Sequence, residues 1–252
     1  MKKQQEYLAR MRQAMLEHGI DACVVSGTDP HQSELPAMHW RGREWLTGFE
    51  SANGTNGTAV VLQDDALCWT DSRYFLQATE QLKDTGFRMM EEDGPNAVDL
   101  VDWLVEHTHS GQTVGIDGMT FSISYAQRLE QELGDNGVKL NTEFPVFDYI
   151  YPDRPARPMN PLFVHDENIV GVTTDTKMEA IMEEVKPELA NAILLSSLDD
   201  IAWATILRAA NDIAYSPVFV AFLYIDNERR VLFIDQELSL IHISEPTRRV
   251  VI

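Results

Sequence analysis

The residues with the clearest chemical potential are an aspartate and an arginine in the stretch WTDSRYFLQA. Trp69 ends an apolar run, and Asp71 and Arg73 follow it directly. Apolar side chains then recur at helical spacing, so the pattern predicts a strand followed by a helix that has Arg73 in its first turn and Asp71 or Ser72 as its cap. Because a helix dipole favours anions at that end, helix stability does not explain a cation there.

A second polar stretch, TDPHQSE at residues 28–34, also follows an apolar, strand-like run. In layered α/β domains the residues just past strand ends are favoured binding positions. The alternative is that both stretches are ordinary polar loops. In that case Arg73 is expected to form an ion pair with a nearby carboxylate: Asp71, Glu34 or Glu80.

The sequence carries no recognised catalytic motif. It contains no HExxH, CxxC, GxSxG or P-loop, and its seven histidines are scattered, so we assign no catalytic residue and no metal ligand. Cys23 and Cys68 lie in apolar runs, which indicates buried thiols in a reducing compartment. The glycine-rich NGTNGT precedes a strand and predicts a turn in preference to an anion site.

The composition limits the classes of function. The formal net charge of −20 would repel phosphate backbones, so we expect no nucleic-acid partner. Apolar residues make up 44% of the chain and charged residues 24%, which is typical of a soluble globular protein. No apolar run approaches the length of a membrane span, and the N-terminus lacks the apolar segment of a signal peptide. We therefore expect a cytoplasmic protein without membrane contact.

The order of predicted elements indicates two α/β domains. Strands alternate with helices over residues 1–151, where EWLTGF and GTAVVLQ predict strands joined by the loop ESANGTN. Prolines at every third position of residues 152–161 predict an extended connector. Residues 162–237 repeat the order of helix, strand, Trp-bearing segment and two strands, which predicts a related but incomplete second domain. Three tryptophans in apolar segments are expected core anchors: Trp45, Trp69 and Trp203.

Residues 238–252 are predicted not to be native protein. LSLIHISEPTR resembles the translation of a transposase adapter used in sequencing libraries, and the strand before it ends within a domain. The following PTRRVVI offers neither a helix cap nor a partner strand. A genuine divergent tail is the alternative.

Several blocks together resemble a known family. DPHQSE, REWLTGF, GTAVV and WTDSRYFLQA, in this order and spacing, resemble the first domain of three-domain Xaa-Pro aminopeptidases. DRPARP is similar to their connector, and LLSSLDDIAW with SPVFVAFLYI is similar to their second domain. The resemblance covers residues 1–237. One departure is GFESANGTNG, which is longer than the family's GFxGSxG turn and lacks its first glycine.

The resemblance implies a fold and an activity. It implies two tandem creatinase-type N-terminal domains, each a layered mixed sheet with flanking helices, followed in the family by a pita-bread catalytic domain that this sequence lacks. In that domain two metal ions, usually manganese, lie on two Asp, one His and two Glu. The family removes the N-terminal residue from short peptides whose second residue is proline, and usually forms homodimers. This chain alone is then expected to bind no metal cofactor and to be inactive.

The resemblance also implies roles for site residues. The family arginine at the position of Arg73 contacts the bound peptide, and Asp71 would hold its guanidinium in place. His31 and Glu34 are weaker candidates that would line the same cleft or contact a neighbouring subunit. Two alternatives stay open: a non-catalytic creatinase-like module that binds peptides or histones, and a relative of proline dipeptidase, which normally has a single N-terminal domain.

Overall fold

The computed structural model describes residues 2–210, 213, 215–235 and 250–251. The chain divides into two compact units, residues 1–156 and 157–252, which we call the first and second units. The division falls inside the stretch predicted to be a connector, and residues 152–161 contain neither helix nor strand. Their prolines account for this, because proline lacks an amide hydrogen and cannot sit inside a helix or a central strand.

The first unit alternates helices and strands in the predicted manner. Its elements in chain order are α1 Lys3–Glu17, β1 Ala22–Val25, α2 Gly42–Thr47, β2 Thr58–Leu62, β3 Ala66–Thr70, α3 Phe75–Leu82, β4 Arg88–Glu91, α4 Leu100–His107, β5 Thr113–Ile116, α5 Ile123–Asp135, β6 Lys139–Asn141 and α6 Val146–Ile150.

The strands form one mixed sheet in the order β4-β3-β2-β1-β5-β6. Strand β2 is antiparallel to both of its neighbours, β1 and β3, whereas β4 is parallel to β3, and β5 and β6 continue parallel to β1. Strands β1, β3, β4, β5 and β6 therefore all run in one direction. Their carboxyl ends lie along one side of the sheet, which we call the carboxyl edge.

Each face of this sheet buries an apolar core. Successive strand residues point to opposite faces, so Cys23 and Val25 pack with helices α1, α2, α3 and α6. Their neighbours Ala22 and Val24 pack with α4 and α5. Trp69 is buried in the second of these cores, as predicted. The sheet is therefore a rigid platform, covered on both faces, for the loops at its edges.

One predicted strand is wrong. EWLTGF contributes to helix α2, which ends at Gly48 in the left-handed region with a φ of 76°. The buried residues of helix α2 recur at a spacing of three and four, which is helical: Gly42, Arg43, Leu46 and Thr47. Glycine tolerates the left-handed conformation that closes a helix, so Gly48 is the stop signal that the prediction placed inside a strand.

The second unit is smaller and carries a separate sheet. Its elements are β7 Leu162–Val164, α7 Glu167–Val170, α8 Thr174–Val185, β8 Ala192–Leu195, α9 Leu198–Thr205, β9 Leu207–Ala209, β10 Phe222–Asp226, β11 Arg230–Phe233 and β12 Val250–Val251. Strand β10 pairs antiparallel with β8 and β11, which confirms the predicted strand pair across the turn. Strands β7 and β9 pair separately.

Two expectations for this unit need correction. Trp203 is not a core anchor, because it is 49% exposed and its ring lies 4.8 Å from Lys177 Nζ. Most of the predicted non-native tail, residues 238–249 and 252, lies outside the described residues. Its described part, Val250–Val251, pairs antiparallel with β11, so the expectation that this segment lacks a partner strand is wrong.

Among the described residues, every helix falls short of the length and apolar character that a membrane span requires.

Candidate functional site

The candidate site begins where strand β3 ends. All five residues of β3 are buried, and the strand lies between β2 and β4, so its end is firmly held. Asp71 follows Thr70 at the carboxyl edge. Asp71 therefore follows the buried strand directly, as the sequence pattern predicted, and its side chain is 18% exposed.

The residues after β3 form a turn before helix α3 begins. Tyr74 N donates to Asp71 O at 3.0 Å, and Arg73 N donates to Asp71 Oδ1 at 3.0 Å. Helix α3 starts at Phe75, with Tyr74 as an N-cap that makes no side-chain cap bond. The prediction that Arg73 lies in the first helical turn and that Asp71 or Ser72 caps it is therefore wrong. The Asp71 carboxylate closes the turn instead.

Asp71 and Arg73 form a two-point ion pair. Arg73 Nε donates to Asp71 Oδ1 at 3.0 Å, and Nη2 donates to Oδ2 at 2.7 Å. The Arg73 side chain is 72% exposed, against 18% for Asp71. The hydrogen bonds from Arg73 hold the pKa of the Asp71 carboxyl below its usual range, against the opposing effect of burial. The pair is therefore charged at neutral pH, with its cation facing solvent.

A neighbouring loop holds the aspartate from the other side. Asn56 Nδ2 donates to Asp71 Oδ2, and Asn56 Oδ1 accepts from Thr70 Oγ1. Asn56 belongs to the glycine-rich loop between α2 and β2. Asp71 is therefore fixed by both a loop and the arginine, and its orientation in turn fixes Arg73.

Arg43 organises this loop from inside. Its guanidinium is fully buried, and Nη2 donates to Asn56 O at 2.7 Å and to Gly54 O at 3.1 Å. Nη1 donates to Phe49 O. Sequence reasoning missed both Arg43 and Asn56. The sequence did contain one signal for Arg43, which lies three residues before Leu46 and four before Thr47. That spacing places the three residues on the same face of a helix, and the face is buried.

The weaker candidates lie in the loop after β1. His31 is buried at 6% exposure, and its backbone amide donates to Asp29 Oδ1 at 2.9 Å, so its ring presents little surface to a ligand. Glu34 is exposed, and its carbonyl accepts from Thr55 Oγ1 at 3.2 Å. The structure thus brings Asp71 and Arg73 together and places His31 and Glu34 in a separate loop that meets the Asn56 loop through Thr55.

The carboxyl edge also carries further acidic groups. Strand β4 ends beside β3, and Glu92 and Asp93 follow it. Asp93 accepts from Ser72 N at 2.7 Å and from Ser72 Oγ at 3.0 Å. A cleft of about 280 Å³ opens along the same edge, and its lining includes Thr28, Trp69 and Glu92. In the described part of the chain, no group of three or more His, Cys, Asp or Glu side chains could hold a metal ion.

The fold and this edge define a layered α/β domain of the kind that presents ligand-binding groups beyond its strand ends. The Creatinase/Prolidase N-terminal domain family matches residues 8–144, and a second Creatinase/Prolidase N-terminal domain model matches residues 153–247. The chain belongs to the Creatinase/Prolidase N-terminal domain family. This confirms the predicted pair of creatinase-type domains.

Named relatives agree with that family. A protein of Neosartorya fischeri named "Probable Xaa-Pro aminopeptidase P" is 36% identical over 234 residues, which cover 92% of this chain and 35% of that protein. Aminopeptidase P1 of Lotus japonicus is 34% identical over 232 residues, or 91% of this chain and 34% of that protein. The chain therefore spans about a third of the length of the curated relatives it matches.

A solved structure agrees over almost the whole chain. X-prolyl aminopeptidase from Caenorhabditis elegans, described as a cytosolic enzyme with a di-nuclear active site, superposes with a TM-score of 0.85 at 29% sequence identity. The match covers 93% of this chain and 39% of that one. The similarity to Xaa-Pro aminopeptidases inferred from the sequence blocks is confirmed.

Proposed function

We propose that this chain is the two-domain N-terminal part of an Xaa-Pro aminopeptidase and that its contribution is to hold the substrate peptide at Arg73. The observation that carries the proposal is the geometry of the pair: Asp71 fixes the guanidinium at two points, yet 72% of the arginine side chain faces solvent. A rigid, charged fork with free donors suits the oxygen atoms of a peptide.

The rest of the reaction belongs to the part of the relatives' length that this chain does not span. The proposed whole enzyme removes the N-terminal residue from short peptides with proline second, with two metal ions, manganese by family resemblance. The described residues here provide no set of ligands for such ions, so we assign no hydrolytic step to them. The C. elegans relative is described as cytosolic, which supports the proposed cytoplasmic location, and the homodimer is proposed from family resemblance.

A binding experiment on the chain itself tests the role of Arg73. In ¹⁵N-labelled protein, the Arg73 Nε–H signal should shift on titration with the tripeptide Ala-Pro-Ala, and Arg73→Ala should abolish backbone shifts near Asp71. Arg88 provides a matched control, since it is 61% exposed and pairs with Asp65 at the opposite end of the strands. An Arg88→Ala variant should bind like the unaltered protein.

Activity offers a second test. In a full-length enzyme that carries this sequence, Arg73→Ala should lower kcat/KM for Xaa-Pro peptides by at least about tenfold, because a charge-assisted contact is lost. Metal content should not change, since the described residues of this chain hold no metal ligand set. An unchanged kcat/KM together with a lowered Tm would identify Arg73 as a structural ion-pair residue and overturn the proposal.

A further inference from the structure

Asp71 occupies only one side of the Arg73 guanidinium. Its two oxygens accept hydrogen bonds from Nε–H and from one Nη2–H, which together form one edge of the planar guanidinium. A guanidinium has five N–H donors, so both Nη1 hydrogens and one on Nη2 remain. These donors lie on the edges of the guanidinium that Asp71 does not occupy, and the side chain as a whole is 72% exposed. Any ligand contact is therefore made by the Nη1 and Nη2 end.

Further carboxylates lie close to the Asp71–Arg73 pair. The register of β3 and β4 pairs Thr70 with Glu91, so Asp71 and Glu92 follow neighbouring strand ends. Asp93 is held nearby by Ser72. Burial, and then the charges of Asp71 and Asp93, raise the pKa of Glu92. Arg73 is thus one cation among three carboxylates.

We propose that Arg73 binds a neutral peptide carbonyl oxygen in preference to a C-terminal carboxylate. The inference rests on the proposed function and specifies its substrate class: peptides whose chain continues past the contacted carbonyl, or whose C-terminus is amidated. Peptides that present a free carboxylate at this position are disfavoured.

The physical reason is the charge balance. The Asp71 pair is already neutral, so a ligand carboxylate would meet Glu92 and Asp93 without an unpaired cation to offset them. A carbonyl oxygen accepts the same N–H groups and carries no net charge. Because the site is open to solvent, the repulsion is moderate and depends on salt.

The test compares two ligands that differ only at the C-terminus. We would titrate ¹⁵N-labelled chain with Ala-Pro-Ala and with Ala-Pro-Ala-amide and follow the Arg73 Nε–H signal. The amide should bind more tightly than the acid, by roughly threefold or more at low salt, and the difference should shrink as salt is added. The Arg88 signal should stay in place with both ligands.

Variants separate local charge from the overall attraction of a cationic ligand to an acidic protein. Glu92→Gln with Asp93→Asn should reduce or reverse the preference for the amide. Asp64→Asn with Asp84→Asn removes the same charge at exposed positions elsewhere and should leave the preference unchanged.

The outcomes distinguish the two claims. Shifts at Arg73 with both ligands but tighter binding of the acid would overturn the inference and leave the proposed function standing. An equal loss of preference in both double variants would also overturn it, because the effect would then come from net charge. No shift at Arg73 with either ligand would overturn the proposed function itself.

Discussion

Two arginines of the first unit stand in opposite environments. The Arg43 guanidinium is fully buried under the loop between α2 and β2, whereas Arg73 is 72% exposed at the carboxyl edge. Arg43 donates to the chain's own backbone carbonyls, those of Phe49, Gly54 and Asn56. Arg73 donates to one carboxylate and keeps the end of its fork in solvent.

The difference separates a structural cation from a binding one. Burial lowers the pKa of Arg43, while the hydrogen bonds that Arg73 donates to Asp71 raise the pKa of Arg73. Arg43 donates to the carbonyls of the buried residues Phe49 and Gly54 and of the half-buried Asn56. Without these partners the carbonyls would cost free energy, so the Arg43 side chain is committed to the fold. Arg73 satisfies nothing buried except part of Asp71, and its remaining donors are available to a ligand.

The two regions are nevertheless connected through one residue. The Asn56 carbonyl accepts from Arg43, and the Asn56 side chain donates to Asp71, which holds Arg73. The buried arginine therefore shapes the loop that orients the exposed one. Variants along this chain of contacts should affect stability less and ligand binding more as they approach Arg73.

The largest effect should follow from Arg43→Met, which keeps an unbranched side chain but removes every donor. Several buried carbonyls would lose their partner, so we expect the free energy of unfolding to fall by about 3 kcal/mol or more. Urea unfolding followed by tryptophan fluorescence measures this, because four of the five tryptophans lie in the first unit: Trp40, Trp45, Trp69 and Trp103.

Arg43→Lys provides the conservative comparison. Lysine keeps the charge, but its single nitrogen cannot contact all the carbonyls that the planar guanidinium contacts. It should therefore recover only part of the lost stability. If Arg43→Met unfolds at the same urea concentration as the unaltered protein, the hydrogen bonds of Arg43 contribute nothing to stability. The contrast between the two arginines would then fail.

Asn56→Ala should have an intermediate effect. It removes the bonds to Thr70 and Asp71 but keeps the backbone carbonyl that Arg43 uses, so we expect a loss of about 1 to 2 kcal/mol. Asp71 would then be held by Arg73 alone. Faster exchange of the Arg73 Nε hydrogen with solvent would report the loosened pair, and unchanged exchange would refute the link between the two regions.

Much of this architecture follows from local sequence patterns. The strands before Asp71 and after the glycine-rich loop are apolar runs bounded by polar turns, which predicted β2 and β3 correctly. The closeness of Asp71 and Arg73 follows from a separation of two residues. The alternation of strands and helices predicted the layered α/β class, and the sequence blocks indicated the family that the comparisons confirm.

The missed features depend on contacts that no local pattern records. Arg43 is buried because the carbonyls of Phe49, Gly54 and Asn56 converge on it only after the loop has folded back over α2. A charged residue favours a surface position, and this expectation outweighs the helical spacing of Arg43 from Leu46 and Thr47, which was the one local signal of its burial. Trp203 shows the reverse error, since an aromatic residue in an apolar segment proves half-exposed.

The carboxylates next to the two arginines have pKa values shifted in opposite directions. Burial is the main cause that raises the pKa of Glu44, next to Arg43, whereas the hydrogen bonds from Arg73 lower the pKa of Asp71. Carboxyl ¹³C chemical shifts followed as the pH is lowered should show Glu44 taking up its proton above about 4.3 and Asp71 below about 3.9, the ordinary values. In Arg73→Ala the Asp71 midpoint should rise.

The signs of the stability contributions follow from these directions. Asp71 has a folded pKa below its unfolded value, so its contribution is present above the unfolded value and is lost as pH falls through the folded one. Glu44 has a raised folded pKa, so its contribution is present below the unfolded value and is lost as pH rises through the folded one. If the pKa values of Asp71 and Glu44 were both raised, or both lowered, by folding, this difference between the two regions would disappear.

The smallest effect on stability should come from Arg73→Ala. An exposed ion pair contributes little, because solvent screens it and both side chains lose freedom to form it, so Tm should shift by less than about 3 °C. Binding of Ala-Pro-Ala should nevertheless be lost, and that dissociation of stability from binding is what distinguishes Arg73 from Arg43. Arg88→Ala removes a comparably exposed ion pair at the other end of the strands. It should also shift Tm by less than about 3 °C, and it should leave binding of Ala-Pro-Ala unchanged. If Arg73→Ala lowers Tm as much as Arg43→Met does, Arg73 is a structural residue like Arg43.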